Sequence, residues 1–181
     1  MPNKCRHCQE ELFSEIIDLG NQPPSNRYLS CTKLNEREIS YPLKVYLCNN
    51  CGLVQIPEIL KPKELFTSDY AYFSSTSSSW CRHAKNFVEN AIKKLNLNKT
   101  SYVTEIASND GYLLQNFLEK EIPCIGIEPT KDTANESIRK GINTLEKFFT
   151  SKLALSLIKS DLVIANNVAA HVPDINDFLV G

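Results

Sequence analysis

The sequence lacks an excess of one charge, a long apolar run and an apolar secretory leader, and each absence removes a class of function. Its 20 Lys and Arg residues balance 21 Asp and Glu residues, so the net charge is −1 and no partnership with nucleic acid through bulk charge is expected. The longest apolar runs, such as residues 162–165, are far shorter than the roughly 20 residues of a membrane-spanning helix. Residues 1–20 mix charges with two cysteines, which predicts a cytoplasmic protein.

The overall composition is that of a folded protein. Hydrophobic residues make up 42% of the chain and charged residues 23%, which excludes disorder and collagen-like structure. The chain also contains seven cysteines. In a reducing compartment these indicate metal binding in preference to disulfides.

Four of the cysteines form two pairs with metal-ligand spacing. Cys5 and Cys8 form one pair, Cys48 and Cys51 form the other, and 39 residues separate the pairs. Four thiolates complete the tetrahedral shell of a zinc ion and leave no position for water, so the spacing predicts a structural zinc site. The alternatives that stay open are a disulfide or unligated cluster and a catalytic metal. His7 lies inside the first pair and is not expected to replace a cysteine.

Residues 1–62 are expected to form a zinc-binding module of their own. Five prolines between residues 22 and 62 exclude long helices and fit short strands. Because a core of this size is thin, a metal ion would contribute much of its stability. Residues 63–100 are then a connecting segment and an amphipathic helix, since apolar residues recur at helical spacing from Trp80 to Leu95.

The segment before this helix combines tyrosines with a run of serines. Tyr70, Tyr72, Ser74 and Ser75 fit two interpretations. One is a flexible linker, and the other is the wall of a sugar or nucleotide pocket, where rings stack and hydroxyls form hydrogen bonds. Composition leaves both interpretations open.

From residue 101 onward, strand and helix patterns alternate. Strands are predicted at residues 102–106, 124–127, 144–145 and 162–165, with helices at residues 112–120, 131–140 and 152–158 between them. This order predicts an α/β fold with a mostly parallel sheet covered by helices. Such sheets bind ligands at the carboxyl ends of their strands, so the first of these strands is expected to end at a cofactor.

The loop after that strand carries small residues between acidic ones. Residues 105–111 read Glu-Ile-Ala-Ser-Asn-Asp-Gly, and the Gly-x-Gly-x-x-Gly pattern that cradles a pyrophosphate is missing. Glu128 follows the next strand, 23 residues beyond Glu105, where α/β nucleotide sites hold ribose hydroxyls with a carboxylate. These features indicate a cofactor that contains a ribose but no diphosphate. S-adenosylmethionine is such a cofactor. The alternative is that both acids are solvated strand ends.

Several motifs follow one another along the chain. Besides the two cysteine pairs, they are residues 70–75 (Tyr-Ala-Tyr-Phe-Ser-Ser), 105–114, 126–129 (Gly-Ile-Glu-Pro) and 165–174 (Ala-Asn-Asn-Val-Ala-Ala-His-Val-Pro-Asp). Together they resemble the zinc-containing class I methyltransferases that C-methylate nucleotide-linked deoxysugars, over nearly the whole chain. The resemblance implies that residues 101–181 are the N-terminal half of a Rossmann-like methyltransferase domain.

The resemblance also implies a reaction and a set of site residues. The reaction is C-methylation of a thymidine-diphosphate-linked 4-keto-deoxysugar beside its ketone, with S-adenosylmethionine as the methyl donor and zinc as a structural ion. The sugar nucleotide would contact Tyr70, Tyr72, Ser74 and Ser75. The cofactor would be held by Glu105, Ala107, Ser108, Asn109, Asp110, Gly111, Glu128, Pro129, Asn166 and Asn167.

The sequence departs from this family where catalysis is concerned. The family's Glu-His pair, whose histidine acts as the base, and its substrate-enclosing C-terminal domain lie beyond the matched motifs. We therefore expect the 181 residues to be the N-terminal part of a longer protein and to lack methyltransferase activity alone. The catalytic base is unassigned, with His171 as a weak candidate.

A second class of function stays open as an alternative. Cysteine knuckles with basic residues nearby, here Lys4, Arg6, Arg27 and Lys44, also occur in zinc-ribbon-type modules that bind nucleic acid or protein. The balanced net charge argues against this alternative.

Overall fold

The computed structural model describes residues 3–61 and 72–181. Spatial contacts divide the chain into two compact units. The first unit comprises Met1–Ala71 and Ala170–Leu179, and the second comprises Tyr72–Ala169 and Val180–Gly181. The domain boundaries expected after residues 62 and 100 stay predictions.

The described part of the first unit is built on a three-stranded antiparallel sheet. Its strands are β1 (Ser14–Gln22), β2 (Tyr41–Leu47) and β3 (Val54–Gln55), with β2 in the centre. The register of β1 shifts between Asp18 and Asn21, which lies opposite Pro42. This irregularity lets the central strand contain a proline, which has no N–H for the ladder.

Strand β3 contains only two residues, Val54 and Gln55. The Leu53 carbonyl accepts the N–H of Cys48 at 2.9 Å and so closes the preceding turn instead of joining the ladder. At the other end Pro57 follows Ile56, and proline is disfavoured inside a sheet. The turn and the proline together limit β3 to two residues.

The second unit follows the alternation that the sequence predicts. Its described strands are β4 (Val103–Ile106), β5 (Cys124–Ile127), β6 (Asn143–Leu145) and β7 (Leu162–Ile164). Within the described chain they form a four-stranded parallel sheet in the order β6-β5-β4-β7. The α/β fold class, with a four-cysteine cluster preceding a parallel sheet, is therefore confirmed.

Helices precede and separate these strands. They are α1 (Ser78–Leu95), α2 (Leu114–Leu118), α3 (Lys131–Arg139) and α4 (Ser151–Ala154), and α5 (Ile175–Val180) follows β7. The helices expected at residues 112–120 and 152–158 are shorter than predicted. Helix α2 ends early because Glu121 adopts a left-handed φ of 57° and the Ile122 N–H bonds to the Phe117 carbonyl, as in a Schellman cap.

Helix α1 confirms most of its predicted apolar stripe. The Ser77 side chain accepts the N–H of Trp80 and caps the helix, and Asn96 ends it in the left-handed region. Ala84 and Val88 are buried in the core of the second unit. Leu95, which the stripe also includes, is 49% exposed because it lies in the last turn beside the cap.

The core of the second unit packs the turn and helix after β4 against the sheet. Leu113, Leu114 and Phe117 are essentially fully buried and pack with Val103 of β4 and Ile164 of β7. The turn and helix after β4 are thereby fixed against the sheet. No helix in the described ranges is both long enough and apolar enough to cross a membrane.

Candidate functional site

The two cysteine pairs converge in the first unit. The four Sγ atoms of Cys5, Cys8, Cys48 and Cys51 all lie within 4.8 Å of one another. Cys5 Sγ lies 3.6 Å from Cys51 Sγ, and Cys8 Sγ lies 3.5 Å from Cys48 Sγ. Gly52 has a φ of 77°, a left-handed conformation that glycine adopts readily, and so allows the tight turn that follows Cys48 and Cys51. Four thiols at this spacing fit a tetrahedral zinc ion, whose bonds to sulfur are about 2.3 Å long.

Gln55, which sequence reasoning did not single out, holds one of these cysteines. Its Nε2 donates to Cys5 Sγ at 3.1 Å, and its Oε1 accepts the backbone N–H of Arg6 at 2.8 Å. Burial raises the pKa of Cys5, but the Cys8 backbone, the Gln55 amide and the His7 backbone outweigh burial and lower it to about 6. The Cys5 sulfur is therefore prepared to bind a cation as a thiolate.

The pKa of Cys51 is shifted in the opposite direction. The Leu53 backbone lowers its pKa, but burial and the neighbouring Cys48, Cys5 and Cys8 sulfurs raise it to about 12. Four sulfurs this close cannot all be ionised without a positive charge between them. The donor set thus fits a divalent cation, which would remove this repulsion.

The loop after β4 has an alternating backbone conformation. Ala107, Asn109 and Gly111 have φ values of 55°, 51° and 75°, whereas left-handed backbone is costly for residues with a Cβ. Between them, Ser108 and Asp110 are fully buried. The alternation points every second side chain inward, which the amino-acid order alone did not reveal.

Gly126 of β5 leaves the space that the Ser108 side chain occupies. A Cβ at Gly126 would collide with Ser108 Oγ, and one at Gly111 would collide with Ile142 and Ser137. These two positions need glycine because of close contacts. The loop is packed directly against the end of the sheet.

Glu105 is the third of the four residues of β4, and its side chain is only 1% exposed. Burial raises its pKa well above the ordinary value, and repulsion from Glu128 and Asp110 adds to the increase. Among the described residues, Glu105 Oε2, Ser108 Oγ and Asp110 Oδ1 have no hydrogen-bond partner. Buried polar atoms normally find partners, so this loop fits a ligand that supplies positive charge and donors.

Glu128 lies at the end of β5, and both of its oxygens accept backbone N–H groups. Oε2 accepts from Asn109 at 2.9 Å, and Oε1 accepts from Thr130 at 2.8 Å, across the intervening Pro129. Burial raises the pKa of Glu128, while these bonds oppose the increase. The carboxylate therefore ties the two strand ends together, and the Thr130 and Thr133 side chains also lower its pKa.

Asn109 and Asp110 hold the serine-rich segment onto this loop. The Asn109 side chain donates to the Tyr72 carbonyl at 2.9 Å and accepts the Ser74 N–H at 2.9 Å. Asp110 Oδ2 accepts from both the N–H and the hydroxyl of Ser75. Residues expected to bind the cofactor are thus joined to residues expected to bind the sugar. Tyr70 lies outside the described residues.

Lys140 is a further residue that the sequence did not mark. Its Nζ donates to the Asp110 carbonyl at 2.7 Å and lies 3.4 Å from Asp110 Oδ2. Asp110 consequently has a cationic neighbour. No such ion pair is present for Glu105 within the described ranges.

Tyr112 joins the loop to the segment after β7. It is 5% exposed and stacks on Trp80 at a centroid distance of 6.1 Å, and the Trp80 and Asn166 side chains act to lower its pKa. Burial and the nearby Glu105 raise its pKa to about 12, so the phenol stays protonated. Asn166 and Asn167 are exposed, and Asn167 has a φ of 55°.

His171 lies in the first unit. It is the last residue of a short 3-10 turn and lines a groove of about 340 Å³ together with Arg6, Tyr41 and several prolines. Its ring is exposed to solvent.

Comparisons with known proteins agree with these features. Residues 5–66 match a methyltransferase-associated family described as "Putative zinc binding domain". Over 183 aligned residues, the chain is 25% identical to the C-methyltransferase NovU of Streptomyces niveus, and the alignment covers 99% of the chain. It covers 43% of NovU, so the chain spans less than half the length of this curated relative.

Solved structures similar to the chain align with smaller parts of it. The YcgJ protein of Bacillus subtilis is 21% identical with a TM-score of 0.39, covering 52% of this chain and 42% of its own. A SAM-dependent methyltransferase from Archaeoglobus fulgidus is 20% identical with a TM-score of 0.32, covering 40% of this chain and 33% of its own.

Proposed function

We propose that the chain belongs to a zinc-containing C-methyltransferase family. We further propose that it binds S-adenosylmethionine at the carboxyl ends of β4 and β5. The cofactor would serve the C-methylation of a nucleotide-linked 4-keto-deoxysugar. Membership rests on the zinc-binding-domain match and on the relative aligned along nearly the whole chain. The observation that carries the proposal is Glu105, a buried acid whose Oε2 has no partner in the described chain.

S-adenosylmethionine has the chemistry that this site requires. It carries an ammonium and a sulfonium charge, and either charge would favour the ionised form of a buried acid. Glu105 and the inward-facing Ser108 and Asp110 would surround the methionine end. Glu128 would accept hydrogen bonds from the ribose hydroxyls.

The other predicted cofactor residues shape the same site. Ala107 to Gly111 would wrap the methionine portion, Pro129 would line the ribose side, and the backbone near Asn166 and Asn167 would receive the amino group. When bound, the cofactor supplies an electrophilic methyl group. Tyr112 stays protonated because of its raised pKa, so it can donate a hydrogen bond but does not serve as a base at neutral pH.

The segment carrying Tyr72, Ser74 and Ser75 would form the sugar side of the site. Tyr72 is 49% exposed, which leaves its ring available to a substrate. Ser74 is buried, and the Ser75 hydroxyl is bound to Asp110, so these two serines would position the wall more than contact the sugar. The zinc ion on the four cysteines would keep the first unit folded.

Calorimetric titration tests the cofactor assignment with two ligands. S-adenosylmethionine carries the charged tail, whereas 5′-methylthioadenosine keeps the ribose and adenine but lacks both charges. Replacing Glu128 by Ala should weaken both ligands, by about 10- to 150-fold for loss of charge-assisted bonds worth roughly 1.5–3 kcal/mol. Replacing Glu105 by Gln should weaken only S-adenosylmethionine.

Glu119→Ala is the matched control, since Glu119 is exposed beyond α2, and it should leave both affinities unchanged. Equal effects of Glu105→Gln on the two ligands would contradict the assignment of Glu105 to the charged tail. Absence of S-adenosylmethionine binding by the unaltered chain would overturn the proposal itself.

The reaction is tested with labelled S-adenosylmethionine and a panel of thymidine-diphosphate 4-keto-sugars. We propose that the 181 residues bind the cofactor without measurable methyl transfer, because none of the assigned groups supplies the base that removes the proton beside the ketone. A positioned base contributes roughly 10²- to 10⁴-fold to such reactions. Methyl transfer at an ordinary enzymatic rate that His171→Ala abolishes would show that His171 is the base.

A further inference from the structure

We propose that the turn from Cys5 to Cys8, here called the first zinc knuckle, is an anchor that holds residues 170–176 in place. Arg6 and His7 act as the positioning residues of this anchor. Both residues lie between the ligand pair Cys5 and Cys8. From the sequence, Arg6 was counted only among the basic residues, and His7 was not expected to bind the metal. All of the contacts involved lie within the first unit.

Arg6 provides the first part of the anchor. One guanidinium nitrogen donates to the Val172 carbonyl at 2.9 Å and to the Ala170 carbonyl at 3.4 Å, and the second nitrogen also reaches the Ala170 carbonyl at 3.4 Å. A planar cation with a forked set of donors is suited to hold two carbonyls in a fixed relation. Hydrogen bonds from a charged donor are stronger than neutral ones.

His7 provides the second part, through a reciprocal pair with Asn176. Asn176 Nδ2 donates to the His7 carbonyl at 2.8 Å, which turns the amide oxygen of Asn176 toward the His7 ring. His7 Nδ1 then donates to that oxygen at 2.7 Å. Asn176 lies at the start of α5, whose first turn is also capped by the Asp174 side chain.

The knuckle geometry fixes the position of these donors. The side chain of Gln55 links Cys5 Sγ to the Arg6 backbone N–H, so the metal-ligand sulfur and the Arg6 backbone are held by one amide. Zinc binding by Cys5 and Cys8 would restrain both ends of the Arg6–His7 dipeptide. The anchor is therefore expected to exist only when the knuckle is formed.

The anchor would also influence the proposed cofactor site, and this part of the inference rests on the proposed function. Asn167 precedes Ala170 by three residues, and a chain extends by at most about 3.3–3.6 Å per residue. Fixing Ala170 therefore restricts where the backbone near Asn166 and Asn167 can lie. The zinc-binding module would thus contribute to cofactor affinity through the chain that joins Asn167 to Ala170.

Amide hydrogen exchange of the zinc-loaded chain, without any cofactor, tests the anchor directly. Arg6→Ala should accelerate exchange in residues 170–176 by about tenfold or more and leave exchange in β1 and β2 unchanged. Its zinc content should remain that of the unaltered protein. Arg27→Ala, at an exposed arginine of the same unit, is the control and should change nothing.

Asn176→Ala supplies a second variant that leaves the knuckle intact, in case Arg6→Ala does not fold. It should accelerate exchange around α5 while zinc content stays constant. Unchanged exchange at residues 170–176 in both variants would overturn the anchor. Loss of zinc from both variants would also overturn it, because these residues would then serve only the metal site.

Titration with S-adenosylmethionine tests the link to the cofactor site. If the unaltered chain binds it, Arg6→Ala should raise the dissociation constant several-fold, whereas Arg27→Ala should not. Accelerated exchange with unchanged affinity would overturn the link. If the unaltered chain does not bind it, the proposed function fails, and the exchange experiment still decides whether the anchor exists.

Discussion

Gln55 donates a hydrogen bond to Cys5 Sγ at 3.1 Å from a side chain that is only 3% exposed. Groups that orient metal ligands in this way typically contribute 10- to 100-fold to metal affinity. We therefore expect Gln55→Leu to weaken zinc binding by about that factor, as measured by competition with a chromogenic chelator. Gln22→Ala, at an exposed glutamine of β1, should have no effect. Equal zinc affinity in the Leu variant and the unaltered chain would show that the amide contributes nothing to the site.

Metal analysis should find one zinc ion per chain, bound by the four clustered cysteines. Cys48→Ser removes a buried ligand and should reduce the zinc content to well below half an equivalent. It should also unfold the first unit, since binding a structural zinc ion provides much of the folding energy of small domains. Cys31→Ser is the control because Cys31 is exposed and lies outside the cluster. Full zinc content in Cys48→Ser would refute this ligand set.

The order of elements could be predicted from the sequence because it depends on local patterns. Strand β5 has the predicted bounds, Cys124–Ile127, since a short apolar run between polar residues specifies a buried strand. The cysteine spacing likewise identified the cluster, because two tight turns can present four sulfurs whatever lies between them. Helix α1 was likewise predicted, because its apolar residues recur at helical spacing.

The partners of the loop side chains could not be predicted in the same way. Asn109 and Asp110 were expected at the cofactor, yet they hold Tyr72 to Ser75 from 35 or more residues away in the chain. Lys140 and Gln55 have unremarkable neighbours in sequence, and only the fold brings them to Asp110 and Cys5. Such long-range pairings have no period and no fixed spacing, so one sequence does not reveal them.

Proteolysis should report the bonds between Asn109 and the serine-rich segment. Asn109→Ala removes the two hydrogen bonds to Tyr72 and Ser74, each worth about 1 kcal/mol. Chymotrypsin should then cleave after Tyr72 and Phe73 about tenfold faster or more. Asn98→Ala, in the turn after α1, should leave that rate unchanged. An unaltered rate in the Asn109 variant would mean that other contacts hold this segment.

Glu105 should make stability depend on pH. Burial and the neighbouring Glu128 and Asp110 raise its pKa above the ordinary value of 4.5, so the folded state binds its proton more tightly than the unfolded state does. Its contribution to the free energy of unfolding is therefore complete below pH 4.5 and is lost as the pH rises toward the folded pKa. Glu105→Gln should consequently become more stable relative to the unaltered chain as the pH increases through this window.

Thermal unfolding across a pH series measures this difference, with Glu119→Gln as the exposed control. A parallel pH dependence of the unaltered chain and Glu105→Gln would contradict a raised pKa at Glu105. Glu105 in the free protein favours its protonated form, whereas a bound cation should favour the ionised carboxylate. Affinity for S-adenosylmethionine should therefore increase with pH in the unaltered chain and be flat in Glu105→Gln.

Ala107 should gain stability from a change to glycine. Its φ of 55° places Cβ close to the following carbonyl, at a cost of roughly 1–2 kcal/mol. Glycine avoids this cost but loses more chain entropy on folding, by about 0.5–1 kcal/mol. Ala107→Gly should therefore raise the free energy of unfolding by about 0.5–1 kcal/mol, measured by urea denaturation. Ala91→Gly in the interior of α1 should lower it by about the same amount, because alanine is favourable there. Equal destabilisation by both changes would show that Ala107 is not strained. It would contradict the left-handed backbone conformation of this residue.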